Sequence, residues 1–218
     1  MVDKQSRRGR KKEEMRNKIL KAAETLYHDK ALAEVSMEDI SERADISRVT
    51  LYNYFSNQDC IVLSIGITNM QEIQKKQADQ QIGSSQGYGQ ICGLFQGLMT
   101  SFLENPLDHK IWHYFLSLNN LDAPAEGDEM FETLMVGYLS QLRSLETIWL
   151  EAINLGVHDG SIRNDYDPEQ LVHYLFTLLS GLVNTFEVEK FQLEKVNLGQ
   201  EMVSQMTLEL IGRFLSVS

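Results

Sequence analysis

The run Ser47-Arg48-Val49-Thr50-Leu51-Tyr52-Asn53-Tyr54-Phe55 holds the side chains whose types and spacing best suit chemistry on a nucleic acid. On a helix, Leu51 and Phe55 stand at i and i+4 and continue the apolar side begun by Ile46. Arg48, Val49, Tyr52 and Asn53 then fall on the opposite side, toward solvent. Arg48 can fork onto the acceptors of guanine, Asn53 can bond an adenine edge, and Val49 can meet a thymine methyl. Tyr52, Tyr54 and the hydroxyls of Ser36 and Ser47 suit phosphate oxygens, which set register without reading sequence. Any one of these residues is equally an ordinary solvated surface group; the arrangement as a whole is not.

The elements that must position this face are helices. Only three prolines occur, and no stretch alternates apolar and polar residues as a half-buried strand would. Ile19, Ala22, Ala23 and Leu26 give the spacing of a first helix from about Glu13 to Asp29. Ser36 reads as an N-cap with Asp39 three residues on, opening a short helix with Met37, Ile40 and Ala44 on one face. Asp45-Ile46 makes a tight break, and Ser47 caps the next short helix, which runs to about Tyr54. Three short helices joined by tight turns make a helix-turn-helix. Longer helices follow over 59–80, over 91–102, from Asn105-Pro106 through Phe115, over 129–155, over 168–190 and over 198–215. Gly83 to Gly89, Leu121 to Asp128 and Gly156 to Asp165 read as connections. The predicted fold is all-α with about nine helices: a basic arm at 1–12, a helix-turn-helix head at 13–58 and a helical body at 59–218.

Charge is distributed unevenly along this plan. The formal total of −11 argues against a polyanionic partner. Residues 1–21, however, carry nine Lys or Arg against Asp3, Glu13 and Glu14, whereas residues 61–218 carry eight basic and twenty acidic groups. A basic arm on a near-neutral head, followed by an acidic body, orients the molecule on a polyanion. A solvated basic tail is the other reading of the charge alone.

The segment Asp45-Ile46-Ser47-Arg48-Val49-Thr50-Leu51-Tyr52-Asn53-Tyr54-Phe55 resembles the signature of the TetR/AcrR family, whose pattern runs G-V-S-x-G-x-L-Y-x-H-F-x-x-K-E-x-L. The resemblance extends upstream through Ile19-Leu20-Lys21-Ala22-Ala23 and Ser36-Met37-Glu38-Asp39-Ile40-Ser41. It recurs in the turn Gly160-x-x-Arg163-x-Asp165-x-Asp167-Pro168. It implies a DNA-binding transcriptional regulator, most often a repressor, that reads a pseudo-palindromic double-stranded operator as a homodimer. It also implies a helical C-terminal domain for pairing and small-molecule effector binding, with the fourth helix carrying the effector's signal to the head. Four departures stand out. Asp45 replaces the usual turn glycine, Val49 a small residue and Tyr54 a histidine, while Gln58-Asp59 replaces Lys-Glu. Gln58 retains a hydrogen-bond donor for phosphate without the charge. The basic arm with Arg7, Arg8, Arg10, Lys11 and Lys12 is the candidate replacement, reaching a minor groove or a flanking phosphate.

Pairing has support from the residues as well. Leu171, Leu175, Leu178 and Leu182 occupy one face of the penultimate helix, and Val172, Leu179, Val183 and Phe186 another, so it needs cover on both sides. The last helix adds Met202, Met206, Leu210 and Phe214, with Ile211 off that row. Two such helices per subunit would build a four-helix bundle between protomers. For an apolar or amphipathic effector the candidate residues are Met99, Phe102, Trp112, His113, Phe115, Met135, Tyr138, His173 and Phe176. Among polar residues with apolar neighbours, Asn184 joins His113, Tyr138 and His173. The same residue types form ordinary cores. A regulator without a sensor, controlled by a protein partner or by abundance, is the alternative.

Other classes find little. There is no H-E-x-x-H, no G-x-S-x-G and no phosphate-binding glycine loop, so no catalytic residue is assigned. His109 and His113 have helical i, i+4 spacing but no acidic ligand in register, and no metal or cofactor is expected. Gly93 and Gly97 have a close-packing spacing. Cys60 and Cys92, 32 residues apart, match no metal or redox pattern and suit a reducing compartment. The longest apolar stretch, Leu171 to Val183, is too short for a bilayer, and the charged N-terminus lacks a signal-peptide apolar core. The expected location is the cytoplasm.

Overall fold

The computed structural model describes residues 2–81, 84–118, 127–195 and 199–216. Among these there are no strands. The order is α1 (Val2–Asp29), a 3-10 turn (Leu32–Glu34), α2 (Met37–Arg43), α3 (Arg48–Tyr52), α4 (Gln58–Gln81), α5 (Gly87–Glu104), α6 (Pro106–Leu118), α7 (Glu129–Asp159), α8 (Pro168–Lys195) and α9 (Gln200–Leu215). The fold is all-α, as the spacing predicts. Gly83 and most of the connection expected at Leu121–Asp128 lie outside the described residues.

One boundary differs substantially. The first helix begins at Val2 rather than near Glu13, so the basic segment expected as an arm at 1–12 is part of α1. The sequence permits this because Lys, Arg, Gln and Glu are good helix formers. Gly9 is the one weak position there, and it is not a tight one, since a Cβ would meet nothing within 4 Å. Arg7, Arg8, Arg10, Lys11 and Lys12 are all exposed on this helix.

The chain forms two compact units. The first comprises Met1–Asn69 and Pro106–Leu139, and is thus larger than a head of residues 13–58. Its core contains Ile19, Ala23 and Tyr27 from α1, Ile40 from α2, Leu51 from α3 and Phe55 just after it, with Ile61 and Ile65 from α4. Ile111, Trp112 and Phe115 of α6 and Tyr138 of α7 are buried in the same unit. Gly66 admits α6 and α7 closely, because a Cβ there would lie 2.8 Å from Ile111 and 2.9 Å from Tyr138. Arg16 reaches across the unit: its guanidinium lies over the Phe55 ring at 5.4 Å, and Nη2 donates to Ser64 Oγ at 2.9 Å.

The second unit comprises Met70–Asn105 and Ser140–Ser218. Ile91, Leu94, Phe95, Leu98, Met99 and Phe102 form the buried face of α5. In the same core, Trp149 stands edge-on to Phe176 with centroids 4.8 Å apart, and 6.3 Å from Phe95. Its indole N–H donates to Gln77 Oε1 at 3.1 Å, while Gln77 Nε2 donates to the Leu94 carbonyl at 3.1 Å. A buried indole and a buried amide thereby satisfy each other. Gly87 opens α5 against the backbone of α7, where a Cβ would fall 2.0 Å from Gly156 N.

Candidate nucleic-acid interface

The helix-turn-helix lies within the first unit and is pinned by its caps. Ser36 Oγ accepts from Asp39 N–H at 3.1 Å, and Asp39 Oδ2 accepts from Ser36 N–H at 2.8 Å. This reciprocal box fixes the first turn of α2. The Ser36 hydrogen bonds hold the Asp39 carboxyl below the usual carboxylate range. Ser47 Oγ accepts from Thr50 N–H at 3.1 Å and starts α3. Between the helices Asp45 adopts φ +50°, the left-handed conformation that a turn glycine commonly supplies. Aspartate tolerates it better than most residues. Ile46 N–H then bonds back to the Ser41 carbonyl at 3.0 Å, closing the turn.

The third helix covers five residues, ending at Tyr52 rather than near Tyr54. Its faces separate as its spacing requires. Leu51 is 0% exposed and Phe55, just beyond it, 1%. On the other side Val49 is 73% exposed and Tyr52 53%, with Ser47 and Asn53 exposed and Tyr54 half-buried. Arg48 shares this open side, but its guanidinium is not idle: Nη2 is in an ion pair with Glu38 Oε1 from α2.

Two expected phosphate contacts are modified by the partners found. Ser36 Oγ donates its single proton to Asp39 Oδ2 at 2.5 Å, so its hydroxyl has none left for a phosphate oxygen while the box stands. Gln58 Nε2 donates to the Leu32 carbonyl at 2.5 Å, within the unit. Its neighbour Asp59 accepts from Tyr114 Oη at 2.7 Å. The Gln58-Asp59 pair that departs from the family pattern thus ties the start of α4 to Leu32 and Tyr114 within the first unit. Sequence reasoning misses Glu38, and also Asp128, which accepts from Ser56 Oγ at 2.6 Å and Asn57 Nδ2 at 2.8 Å just past α3. Nothing in the linear spacing marks either contact.

The expected effector residues are divided between the units. Trp112, His113, Phe115, Met135 and Tyr138 belong to the first, and Met99, Phe102, His173 and Phe176 to the second. Phe115 and Tyr138 pack at 4.9 Å between centroids. Burial pushes the Tyr138 phenol well above its ordinary pKa. Met99, Phe102 and Phe176 are buried in the second core. The sequence places His113, His173 and Asn184 among enclosing apolar neighbours, but all three are exposed, because each falls on the outer side of its helix. The open clefts of the second unit include one of about 740 Å³ between α5 and α9, rimmed by Glu104, Glu201 and Glu209. Another of about 340 Å³ contains His173 beside Arg143, Glu146 and Glu169.

His109 is buried and its ring centroid lies 6.2 Å from that of exposed His113. Among the described residues, no group of three His, Cys, Asp or Glu side chains could hold a metal ion. Both cysteines are free, Cys60 buried and Cys92 half-buried. No described helix is long and apolar enough to cross a membrane.

The fold and this capped, outward-facing short helix define an all-α protein with a helix-turn-helix head. Residues 19–65, which hold that head, match the family model described as bacterial regulatory proteins, tetR family. The HTH-type transcriptional regulator EthR of Mycobacterium tuberculosis is 40% identical over 47 residues, a stretch covering 22% of this chain and 22% of that protein. The uncharacterized HTH-type transcriptional regulator YdeS of Bacillus subtilis is 38% identical over 60 residues, 27% of this chain and 30% of that one. The sequence likeness to these relatives is therefore confined to less than a third of their length.

Likeness in fold extends further. A regulatory protein in the tetR family from Rhodococcus RHA1 has a TM-score of 0.71 at 14% identity, over 94% of this chain and 98% of that one. The regulator FadR of Bacillus subtilis, in complex with stearoyl-CoA, has a TM-score of 0.69 at 16% identity, over 90% and 97%. At such identities the likeness is one of fold.

Proposed function

We propose that this chain is a sequence-specific, non-enzymatic DNA-binding regulator of transcription, acting as a repressor in the cytoplasm. The observation that carries the reading is the two-sidedness of α3. Leu51 is sealed inside while Arg48, Val49, Tyr52 and Asn53 stand open on a helix capped by Ser47. Arginine, valine and asparagine on one open face supply donors and a methyl-sized apolar contact, which the major groove discriminates. The test is selection of bound duplexes from a random pool by the purified full chain, followed by fluorescence anisotropy on the enriched sequence. Enrichment of a pseudo-palindromic site supports the reading; a pool with no sequence enrichment defeats it.

Pairing of two copies through α8 and α9 belongs to the same proposal. Met202, Met206 and Leu210 form an exposed row at i, i+4, i+8 on α9, and exposed Tyr174 of α8 approaches Phe214 of α9. A row of large apolar side chains in water is what a two-fold interface would cover. On this reading two copies of α3 meet two half-sites about one helical turn, roughly 34 Å, apart.

Control by an apolar or amphipathic small molecule draws support from FadR, whose structure holds stearoyl-CoA. Control by a protein partner or by abundance draws support from the second unit, where Met99, Phe102, Trp149 and Phe176 are already buried. Its clefts of about 740 and 340 Å³ both have carboxylates on their rims. Titrating stearoyl-CoA into the protein–duplex complex separates the two. Release of the duplex favours the effector reading, and an unchanged complex favours the other.

A further inference from the structure

We infer that Glu38 is a specificity-determining positioning residue: by holding one edge of the Arg48 guanidinium, it makes the arginine a poor phosphate ligand and keeps it for guanine. This deepens the DNA-binding reading of the same site and rests on it. The observation is the ion pair between Arg48, the first residue of α3, and Glu38, the second residue of α2. The two side chains are 57% and 55% exposed. Both helices are fixed where the pair forms, α2 by the Ser36–Asp39 box and α3 by the Ser47 cap.

Such a pair adds little to folding, because water screens it. Its consequences are larger for a polyanion. An unpaired arginine on this face would serve any phosphate oxygen, giving affinity without sequence preference. With the carboxylate attached, the pair is close to neutral, and a phosphate entering beside Glu38 meets like charge at short range. Guanine presents two neutral acceptors, O6 and N7. A guanidinium has five N–H donors, so Glu38 can retain Nη2 while the remaining donors meet the base. Glu38 therefore penalises the non-specific partner and spares the specific one.

The experiment compares four full-length proteins, namely wild type, Glu38→Gln, Arg48→Ala and the double variant, on the selected duplex, on single-base substitutions of it and on an unrelated duplex. With Glu38→Gln, binding to the unrelated duplex should tighten about three- to tenfold, and the slope of log affinity against log salt should steepen by roughly 0.9, the increment for one more neutralised phosphate. Discrimination at one G·C position per half-site should fall by a similar factor. In the Arg48→Ala background Glu38→Gln should change none of these, since the arginine through which it acts is gone. Glu38→Ala, read by circular dichroism for unchanged helicity, guards against a local folding effect.

Unchanged slope and base profile in Glu38→Gln overturn the inference. So does an equal tightening in both backgrounds, which would mark Glu38 as a general repulsive charge. A wild type that selects no duplex instead overturns the DNA-binding reading beneath it. The two failures are thus distinct.

Discussion

Asp128 accepts a hydrogen bond from Asn57 Nδ2 at 2.8 Å, joining the start of α7 to the turn that follows α3. The same carboxylate takes the Ser56 hydroxyl and caps α7 through Phe131 N–H at 3.1 Å, while Asn57 Oδ1 caps α4 through Cys60 N–H at 2.9 Å. Two helix starts are therefore held by one pair of side chains. These bonds favour the ionised acid and keep the Asp128 carboxyl below the usual range, with the Ser56 bond contributing most. A group whose folded pKa is depressed stabilises above its unfolded value, near 3.9, and that contribution is lost as pH falls through the lower folded value. Asp128→Asn should lower the melting temperature at pH 7, and the difference from wild type should shrink on acidification below about pH 4. A constant difference across that range would show that the charge plays no part.

The turn at Asp45 yields a backbone prediction. With φ at +50°, a β-branched residue would strain the main chain at this position. Asp45→Val should lose about 1–2 kcal/mol in urea unfolding. Asp45→Gly should stay within about 1 kcal/mol of wild type, because relief of the Cβ is offset by a more flexible unfolded chain. Equal losses in the two variants would place the cost in the side chain's contacts rather than in φ.

Leu51 and Val49 are two residues apart in sequence and opposite in environment, 0% and 73% exposed. Leu51→Ala should cost about 2–5 kcal/mol, the range for emptying a packed leucine site. It should weaken all duplex binding by unfolding the head. Val49→Ala should leave stability within about 0.5 kcal/mol and weaken preference at a thymine position, read on single-base substitutions of the selected duplex. Matching stability losses would contradict the two-sided helix.

How far the sequence discloses this arrangement depends on whether a feature is local. Caps at Ser36 and Ser47, the inward Leu51 and Phe55, and the helical start at Pro106 follow from spacings of three or four residues. The Asp45 turn is legible because so few residue types tolerate a positive φ. The Arg48–Glu38 pair depends on how two helices cross at a turn, and Asp128–Asn57 on a contact spanning 71 residues; neither leaves a periodic trace. The environment of the expected effector residues is illegible for a related reason. Their composition suits a pocket or a core, and only the packing shows Met99 and Phe102 inside and His113 and His173 outside. At the N-terminus, dense like charge suggests an arm outside the first helix, yet no residue before Glu13 compels the helix to stop.

Exposed Leu210 tests the pairing proposal directly. It is 65% exposed, one turn beyond Met206 on α9. Burying a leucine contributes about 1.5–3 kcal/mol, and a two-fold interface counts it twice. Leu210→Asp should therefore raise the dimer dissociation constant about a hundredfold or more, seen by analytical ultracentrifugation. Binding to a full operator should weaken in parallel, while an isolated half-site should bind as before. An unchanged sedimentation profile would remove α9 from any interface.

The basic start of α1 leads to the last prediction. At 1.5 Å per residue, Arg7 lies roughly 18 Å along the axis from Ile19, which is fully buried. An extended chain can thread a minor groove; a helix about 10 Å across is too wide for one roughly 6 Å wide. As a helix, this segment is expected to meet phosphates rather than base edges in the minor groove. Removing residues 1–12 takes away Lys4, Arg7, Arg8, Arg10, Lys11 and Lys12. The salt slope of duplex binding should flatten by about 0.9 for each phosphate that these side chains neutralise, with the ranking of duplex sequences unchanged. An altered ranking would mean that the segment reads bases, as a helix in the major groove or unwound in the minor one. An unchanged slope would mean that it touches no DNA at all.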